Sequence, residues 1–404
     1  MFSQTEMLQF AIENGMIDES TIQEKMIMNE RKKYLEKHPY KIWEGKDKKW
    51  YTYLPDGETG RKLKRLSSKK AIEDSVVDYY KELEVNPTIE MVFEEWINQK
   101  LEYNEIKKQT YDKYKTDFDR FFKNNKHVPD FHKKKIKTVT EDDLEHFIKT
   151  TIAKMELTQK SYSGMRILIN GIFKKARKMT DISISSFMKD LDISQKSFKK
   201  RIVRKENEVY QEGEAERLTD YLKSQKDDIR CQALLLIFQA GMRVGELCGL
   251  KESDIADKHI HVQRTEVKYR DENGKWKTEV QDFPKSEAGD RYIIISESAK
   301  ETIQNVLRIR SGGEFLFSEN GKRVRSNGMR RKLMRCCEKA GVQYKSNHKI
   351  RKTYGTMLID GGVDDSIVAE QMGHTDISTT RKYYYFSNKS EEKKREQIIK
   401  AMNY

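Results

Sequence analysis

Apolar residues recur at helical spacing over most of this chain and alternate at strand spacing in two short regions. Leu8, Ile12, Met16, Ile22 and Met26 mark an amphipathic helical stretch over residues 1 to about 36, interrupted at Asp18-Glu19-Ser20 by a turn or cap. From Lys41 the pattern changes. Residues 42–43, 49–54 and 62–66 alternate as three short strands, punctuated by Gly45-Lys46-Asp47 and Pro55-Asp56-Gly57, and 69–80 reads as a helix covering them. Beyond a candidate linker at 84–87, helices are predicted at 88–103, 107–124, 141–154 and 158–178. Residues 191–212 lose the periodicity and gather charge at Lys199-Lys200-Arg201 and Arg204-Lys205, as an interdomain linker does. Helices resume at 214–225 and 229–240, the second apolar on every side and therefore buried. Strands follow at 259–268, 276–283 and 291–296, with Glu272-Asn273-Gly274 as the hairpin turn between the first two. A strand at 314–317 and a helix at 327–340 come next. Tyr354, Leu358, Ile367, Val368 and Met372 then keep helical spacing, broken at Gly361-Gly362 and at Gly373-His374. Residues 389–402 read as a charged helix with Ile398, Ile399 and Met402 at its apolar end.

This pattern predicts a multidomain chain, mainly α with small β-sheets. Its parts are a helical extension (1–37), a three-stranded module (38–83), a helical domain (84–190), a linker (191–212) and a mixed α+β domain (213–404). A length of 404 residues agrees, being too long for one core.

The formal net charge of +14 changes the picture, because it favours a polyanionic partner. Charged and hydrophobic residues each make up 36% of the chain, so it is globular and not a basic tail. The small sheet interleaves cations with aromatics at Lys49, Tyr51, Lys62, Lys64 and Arg65, which suits insertion into a DNA groove. The helical domain carries Thr110, Lys113, Lys160, Arg166 and Lys174 at helical spacing, which suits contacts to DNA phosphates; a solvated basic face is the bland alternative. No apolar run is long enough to span a bilayer and no signal-peptide pattern is present, so a cytoplasmic protein is expected. Cys231, Cys248, Cys336 and Cys337 have neither metal-ligand nor disulfide-framework spacing, and Cys231 and Cys248 fall in apolar helical patterns as buried thiols. His259 and His261 alternate as strand side chains. Neither a metal nor a cofactor is expected.

The chemistry gathers in HKIRKTYGTMLIDGGVDDSIVAEQMGHTDISTTRKYYYF, which starts at His348. His348 and Arg351 are three apart and share a helix face. His374 sits at a helix edge, and Tyr383, Tyr384 and Tyr385 follow nine to eleven residues later. A phenol of pKa about 10 is a poor nucleophile unless its proton is removed or its charge stabilised. An arginine fork holds phosphate oxygens. Upstream, Gly241-Met242-Arg243-Val244-Gly245-Glu246-Leu247 places Arg243 and Glu246 three apart, where the carboxylate can orient the guanidinium.

In this order, RxGEL, HxxR, GH and Y resemble the tyrosine recombinase (lambda-type integrase) family, specifically over 240–385 and in layout from about 40 to 400. The resemblance implies a catalytic set of Arg243, Lys285, His348, Arg351, His374 and Tyr383, with Glu246 in support. Lys285 is placed by Pro284-Lys285-Ser286…Arg291; Lys275 and Lys277 are nearby alternatives. Tyr383 is chosen over its two neighbours by family spacing from His374. The implied reaction is cleavage and rejoining of double-stranded DNA through a 3′-phosphotyrosyl link, without metal or nucleotide cofactor. Arg243 and Arg351 grip the phosphate, Lys285 is general acid, His348 handles the tyrosine's proton, and His374 hydrogen-bonds the phosphate. The layout is that of integrases of temperate phages and conjugative transposons. It implies arm-type and core-type DNA sites, a homotetramer on synapsed DNA, an excisionase and a host DNA-bending protein. Two other classes fit the same residues: a non-catalytic DNA-binding protein of this fold, and a type IB topoisomerase-like nuclease-ligase.

Overall fold

The computed structural model describes residues 19–56, 60–180, 182, 191–200, 204–271, 273–282, 287–384, 387 and 389–402. The chain divides into two units, 1–201 and 202–404. The first part of the predicted amino-terminal extension, 1–18, lies outside the described residues, as do the predicted turn residue Gly57 and the segment with Lys285.

In the first unit, helix α1 (Glu19–Lys37) precedes an antiparallel sheet of β1 (Trp43–Glu44), β2 (Trp50–Asp56) and β3 (Gly60–Leu66), in that order. Helix α2 (Lys69–Val85) covers the sheet with Ile72, Val76 and Val77, and Ser68 caps its start. The sheet buries little of itself: in β2 only Thr52 is buried, held by His38 Nε2 at 2.9 Å and donating to Lys41 O. β3 is exposed except at Leu66, which is half-buried. Helix α1 is tied to α2 by the Tyr34 hydroxyl on Glu84 and by Arg31 on Glu73 and Asp74.

Four further α-helices are described in this unit: α3 (Ile89–Glu102), α4 (Lys108–Phe118), α5 (Glu141–Lys154) and α6 (Gln159–Met179). α4 runs into one π-helical turn, Asp119–Lys123, which turns Phe121 and Phe122 inward. The core is aromatic, with Phe93 stacked on Phe118 at 3.9 Å and Phe131 on Phe147 at 4.1 Å. Truncating such a ring costs about 3–5 kcal/mol. Helix α6 approaches α3 at Gly171, where a Cβ would lie 2.1 Å from the Trp96 ring. Asn86 and Pro87, read from sequence as linker, are not free: Asn86 Oδ1 accepts from Lys137 N and Pro87 O from Ile136 N.

The second unit is built around α8 (Ile229–Ala240), which follows α7 (Glu212–Ser224). From Cys231 to Ala240 every residue of α8 except Gln239 is buried, as an all-round apolar helix requires. Asp228 caps its start through Arg230 N and Cys231 N, both at 3.0 Å. Then come α9 (Val244–Cys248), β4 (His259–Val262), β5 (Thr265–Arg270), β6 (Trp276–Gln281), β7 (Arg291–Ile294), α10 (Glu297–Ile309), β8 (Ser318–Glu319), β9 (Lys322–Arg323), α11 (Ser326–Lys339), α12 (Asn347–Asp360), α13 (Asp365–Met372), α14 (Ile377–Tyr384) and α15 (Glu391–Met402). Helices α7, α10, α11 and α12 pack on α8.

The single strand expected over 259–268 is two strands in different sheets: β4 pairs with β7, and β5 with β6, all antiparallel. The break at Gln263-Arg264 has a polar cause. Buried Asp254 accepts from the Gln263 amide at 2.7 Å and from Arg264 Nη1 at 2.7 Å, drawing both side chains out of strand alternation. The strand expected at 314–317 is one isolated bridge, Phe315 to Lys251, with the regular strand beginning at Ser318. All four cysteines are buried and free, with Cys231 Sγ 3.7 Å from Cys336 Sγ. Among the described residues no helix is long and apolar enough to cross a membrane.

Candidate active site

Two helices in the second unit end on glycines that nothing else could replace. α8 stops at Gly241 (φ +62°) and α13 at Gly373 (φ +59°), both left-handed. A Cβ at Gly241 would lie 2.1 Å from the Tyr354 ring, and one at Gly373 2.6 Å from Ala288 O. The carbonyls released at these ends carry the negative pole of each helix, and they face guanidinium groups. Arg351 Nη1 donates to Gly241 O at 2.7 Å and its Nη2 to Met372 O. Arg243 Nη2 donates to Gly373 O at 3.2 Å, and Arg291 Nε to Gln371 O at 2.9 Å.

Glu246 is the hub of this cluster. It lies on α9, three residues after Arg243, and its side chain is 2% exposed. Oε1 accepts from Arg243 Nη1 at 2.6 Å, and Oε2 from the Arg243 backbone N–H at 2.9 Å. Arg291 Nη2 donates to Oε2 at 2.9 Å, and Arg351 Nη1 stands 4.0 Å from it. Burial pushes the Glu246 carboxyl up, but Arg291, Arg351 and Arg243 together pull it down to about 2. Three arginines around one carboxylate leave the site strongly cationic. Arg243 is its open edge, with 42% of the side chain exposed against 1% for Arg351.

The two histidines border that edge. His348 is an exposed residue in the first turn of α12, three residues before Arg351. His374 follows Gly373, where its backbone N–H closes onto Ala369 O; its Nε2 is 3.5 Å from Arg351 Nη2 and its Nδ1 2.9 Å from Thr380 Oγ1. Burial first, and then the surrounding cations, Arg351 foremost, lower both imidazoles to about 4, so both are neutral at pH 7. Thr380 is buried on α14, the helix whose last turn contains positions 383 and 384. The side chains of Tyr383 and Tyr384, the whole of Tyr385, and Lys285 lie outside the described residues. Lys277, one alternative to Lys285, stands on β6 with its Nζ 3.6 Å from Glu279; Lys275, the other, follows the Gly274 turn.

A feature without a sequence signal supports α12 from behind. Glu208, Val209 and Tyr210 fall in the stretch read as linker, yet all three are buried on this unit. The Glu208 carboxylate takes Lys349 and Lys352, both at 2.5 Å, on either side of Arg351 in sequence. Tyr210 N donates to Thr353 Oγ1 and its hydroxyl to Lys345 O. Arg291 is the other residue that sequence reading left without a role. Its signal was present: burial in β7 alternates from Arg291 onward, so an arginine occupies an inward strand position and needs an acid partner.

In the first unit, Lys62, Lys64, Arg65, Lys113, Lys160, Arg166 and Lys174 are exposed and Lys49, Tyr51 and Thr110 half-buried. The Tyr51 hydroxyl donates to Asp47 and Lys113 pairs with Asp117, both exposed contacts worth little in stability.

Residues 208–391 match the family described as the phage integrase family. A tyrosine recombinase XerC-like protein of Caldanaerobacter subterraneus subsp. tengcongensis is 31% identical over 200 residues, covering 44% of this chain and 50% of that protein. Tyrosine recombinase XerA of Thermococcus kodakarensis is 33% identical over 156 residues, 37% of this chain and 48% of that one. The chain thus spans about half the length of these curated relatives. Two solved structures share the fold. The Tn1549 transposon integrase in complex with a circular intermediate DNA superposes with a TM-score of 0.58 at 17% identity, covering 78% of this chain and 99% of that one. A lambda integrase dimer bound to a COC′ core site gives 0.53 at 16% identity, covering 85% and 94%.

Proposed function

We propose that the chain, whose residues 208–391 match the phage integrase family, is a tyrosine recombinase, a site-specific recombinase of a mobile element that cuts and rejoins double-stranded DNA. The observation that carries this reading is the arginine cluster on Glu246, built from helix ends and edged by two neutral histidines. A phosphodiester is the ligand such a cluster suits, since guanidinium forks neutralise the charge that grows on phosphate oxygens as a nucleophile attacks.

In this reading Arg243 meets the scissile phosphate first and Arg351 completes the grip. Arg351 is buried, so contact by both requires the His374 segment to move aside as DNA binds. Tyr383 attacks phosphorus, the 5′-oxygen leaves, and a 3′-phosphotyrosyl bond keeps the energy of the broken linkage for rejoining. Lys285 protonates the leaving oxygen. His348, being neutral, accepts the tyrosine's proton, and His374 donates a hydrogen bond to the phosphate. The β1–β3 sheet, with Lys49, Tyr51, Lys62, Lys64 and Arg65, takes arm-type DNA. Thr110, Lys113, Lys160, Arg166 and Lys174 grip core DNA through its backbone. Strand exchange between two duplexes needs four such sites, hence a homotetramer; an excisionase and a host DNA-bending protein complete the partner list of the reading, which places the protein in the cytoplasm.

The deciding experiment is trapping on duplexes from the ends of the element that encodes the protein. The unaltered chain should form a covalent adduct, and Tyr383→Phe should bind the same duplex yet form none, while Tyr384→Phe and Tyr385→Phe still do. Absence of adduct from the unaltered chain on every such duplex, with DNA binding intact, would favour a non-catalytic DNA-binding protein. Adduct without site preference and relaxation of supercoils by a monomer would favour a topoisomerase-like enzyme.

A further inference from the structure

Arg291 has no part in the roles above, yet its side chain is 4% exposed, nearly as buried as that of Arg351. Its Nη2 donates to Glu246 Oε2 at 2.9 Å, its Nη1 to Glu246 Oε1 at 3.3 Å and Gly289 O at 3.1 Å, and its Nε to Gln371 O. With every guanidinium nitrogen engaged by protein and the side chain 4% exposed, Arg291 cannot itself reach a phosphate. The slot that holds it is built for it. Strand β7 pairs Arg291 with Val262 of β4, which fixes its inward direction, and a Cβ at Gly373 would lie 2.9 Å from Arg291 Cδ.

We propose that Arg291 is a positioning residue that sets the charge of the phosphate grip, by holding the Glu246 carboxylate at the back of the site. The proposal rests on the recombinase reading for its reaction, but the charge assignment is independent of it. Glu246 lies within 4.0 Å of both Arg243 and Arg351, the two groups assigned to phosphate. A carboxylate in that place has two effects. It orients the arginines, and it competes with any incoming anion for their N–H groups. Arg291 separates the two effects, because it matches the carboxylate's charge through both oxygens while itself buried, and leaves Arg243 exposed. Without it, the carboxylate's attraction falls on Arg243 and Arg351 alone, and Oε2 closes the gap to Arg351. A phosphate then meets a grip already largely neutralised.

The test is a double-mutant cycle of Arg291→Met, Glu246→Gln and the pair. On a duplex that gives adduct with the unaltered chain, Arg291→Met should slow adduct formation at saturating DNA by about 100-fold. Its duplex affinity should change no more than about twofold, since most of that affinity comes from backbone contacts elsewhere. Adding Glu246→Gln should restore about tenfold of the lost rate. A merely structural arginine predicts the opposite: the double variant is no faster than Arg291→Met, and that result overturns the proposal. A second measurement needs no reaction. Inorganic phosphate should raise the melting temperature of the unaltered chain and of the double variant, and raise that of Arg291→Met much less. Equal shifts in all three overturn the charge assignment; the expected pattern without adduct from the unaltered chain sinks the recombinase reading and leaves Arg291's role standing. If Arg291→Met does not fold, Arg291→Lys with and without Glu246→Gln carries the same comparison, because lysine loses the fork that holds both carboxylate oxygens.

Discussion

Arg351 heads the largest fully buried side chains among the described residues, and it has two carbonyls and a histidine around its fork. An ammonium cannot meet Gly241 O and Met372 O and still face a phosphate, so Arg351→Lys should lower adduct formation by about 100-fold or more although the charge is kept. Near-normal adduct from a folded Arg351→Lys protein would remove the grip assignment. The histidines give a pH prediction whose sign follows from their lowered pKa values of about 4. Between about 4 and an unfolded value of about 6.5, the unfolded chain binds more protons than the folded one, so stability rises with pH across that window. It is complete above the unfolded pKa and is lost as pH falls toward 4. Urea unfolding at pH 7 and pH 5 should differ by on the order of 1 kcal/mol from these groups, allowing for solvent at the His348 edge. His374→Asn should flatten the difference; an unchanged slope would show that His374 titrates as it does in the unfolded chain. At this scale, sequence reading works where partners are three or four residues apart. Arg243 with Glu246, and His348 with Arg351, are pairs that one helical turn brings together. Arg291 with Glu246 and Glu208 with Lys352 cross 45 and 144 residues, and no local spacing encodes such partners.

At the scale of elements, helix limits were legible wherever the chain carries its own stop signals. The helix at 141–154 starts at a capping box of Thr140 with Asp143, and that at 229–240 runs from the Asp228 cap to left-handed Gly241. The break between β4 and β5 was not legible, because a buried aspartate causes it and no glycine or proline marks it. The Glu208–Tyr210 strap was missed because it follows the charge run of Lys199 to Lys205, which reads as solvated linker, and its partners on α12 lie 143 and 144 residues away. The strap yields its own prediction. Glu208→Gln leaves Lys349 and Lys352 facing each other's charge in a largely buried place, which should cost about 1–3 kcal/mol of stability. Burial raises the Glu208 carboxyl, but the two lysines outweigh it and hold it at about 2. That contribution is therefore present above the unfolded carboxyl pKa and lost as pH falls toward 2. Urea midpoints of Glu208→Gln and the unaltered chain at pH 7 measure it; coincident midpoints would mean that Tyr210, and not the ion pair, holds the strap.

At the scale of the whole molecule, a mainly helical chain with small sheets, one of them three-stranded and near the start, was legible from changes in hydrophobic period. How copies would join in the proposed homotetramer was not, and exposed apolar surfaces among the described residues of the second unit bear on it. The start of α15 is held in its own unit, with Lys393 on Glu212 and, just before the helix, Lys389 Nζ on Asp360 O. Its apolar end is not: Ile398, Ile399 and Met402 are 59%, 45% and 71% exposed, and the described helix has no buried residue. The same unit carries a groove of about 860 Å³ lined by Leu235, Phe238, Tyr354, Met357, Leu358 and Ile367. An exposed apolar stripe and an open apolar groove on one chain are self-complementary, and head-to-tail use of the two generates a ring when the rotation closes. The homotetramer proposed above would need such a link, because cleavage at one site would have to be coupled to the next. Deleting residues 390–404 should therefore leave DNA binding by the single chain intact and reduce the complexes of higher order on DNA, as resolved in native gels. Ile399→Lys, which keeps the helix and the Lys393 contact, should act in the same direction. Unchanged complex sizes and unchanged recombination in both variants would show that α15 serves its own unit alone, and that some other surface joins the copies.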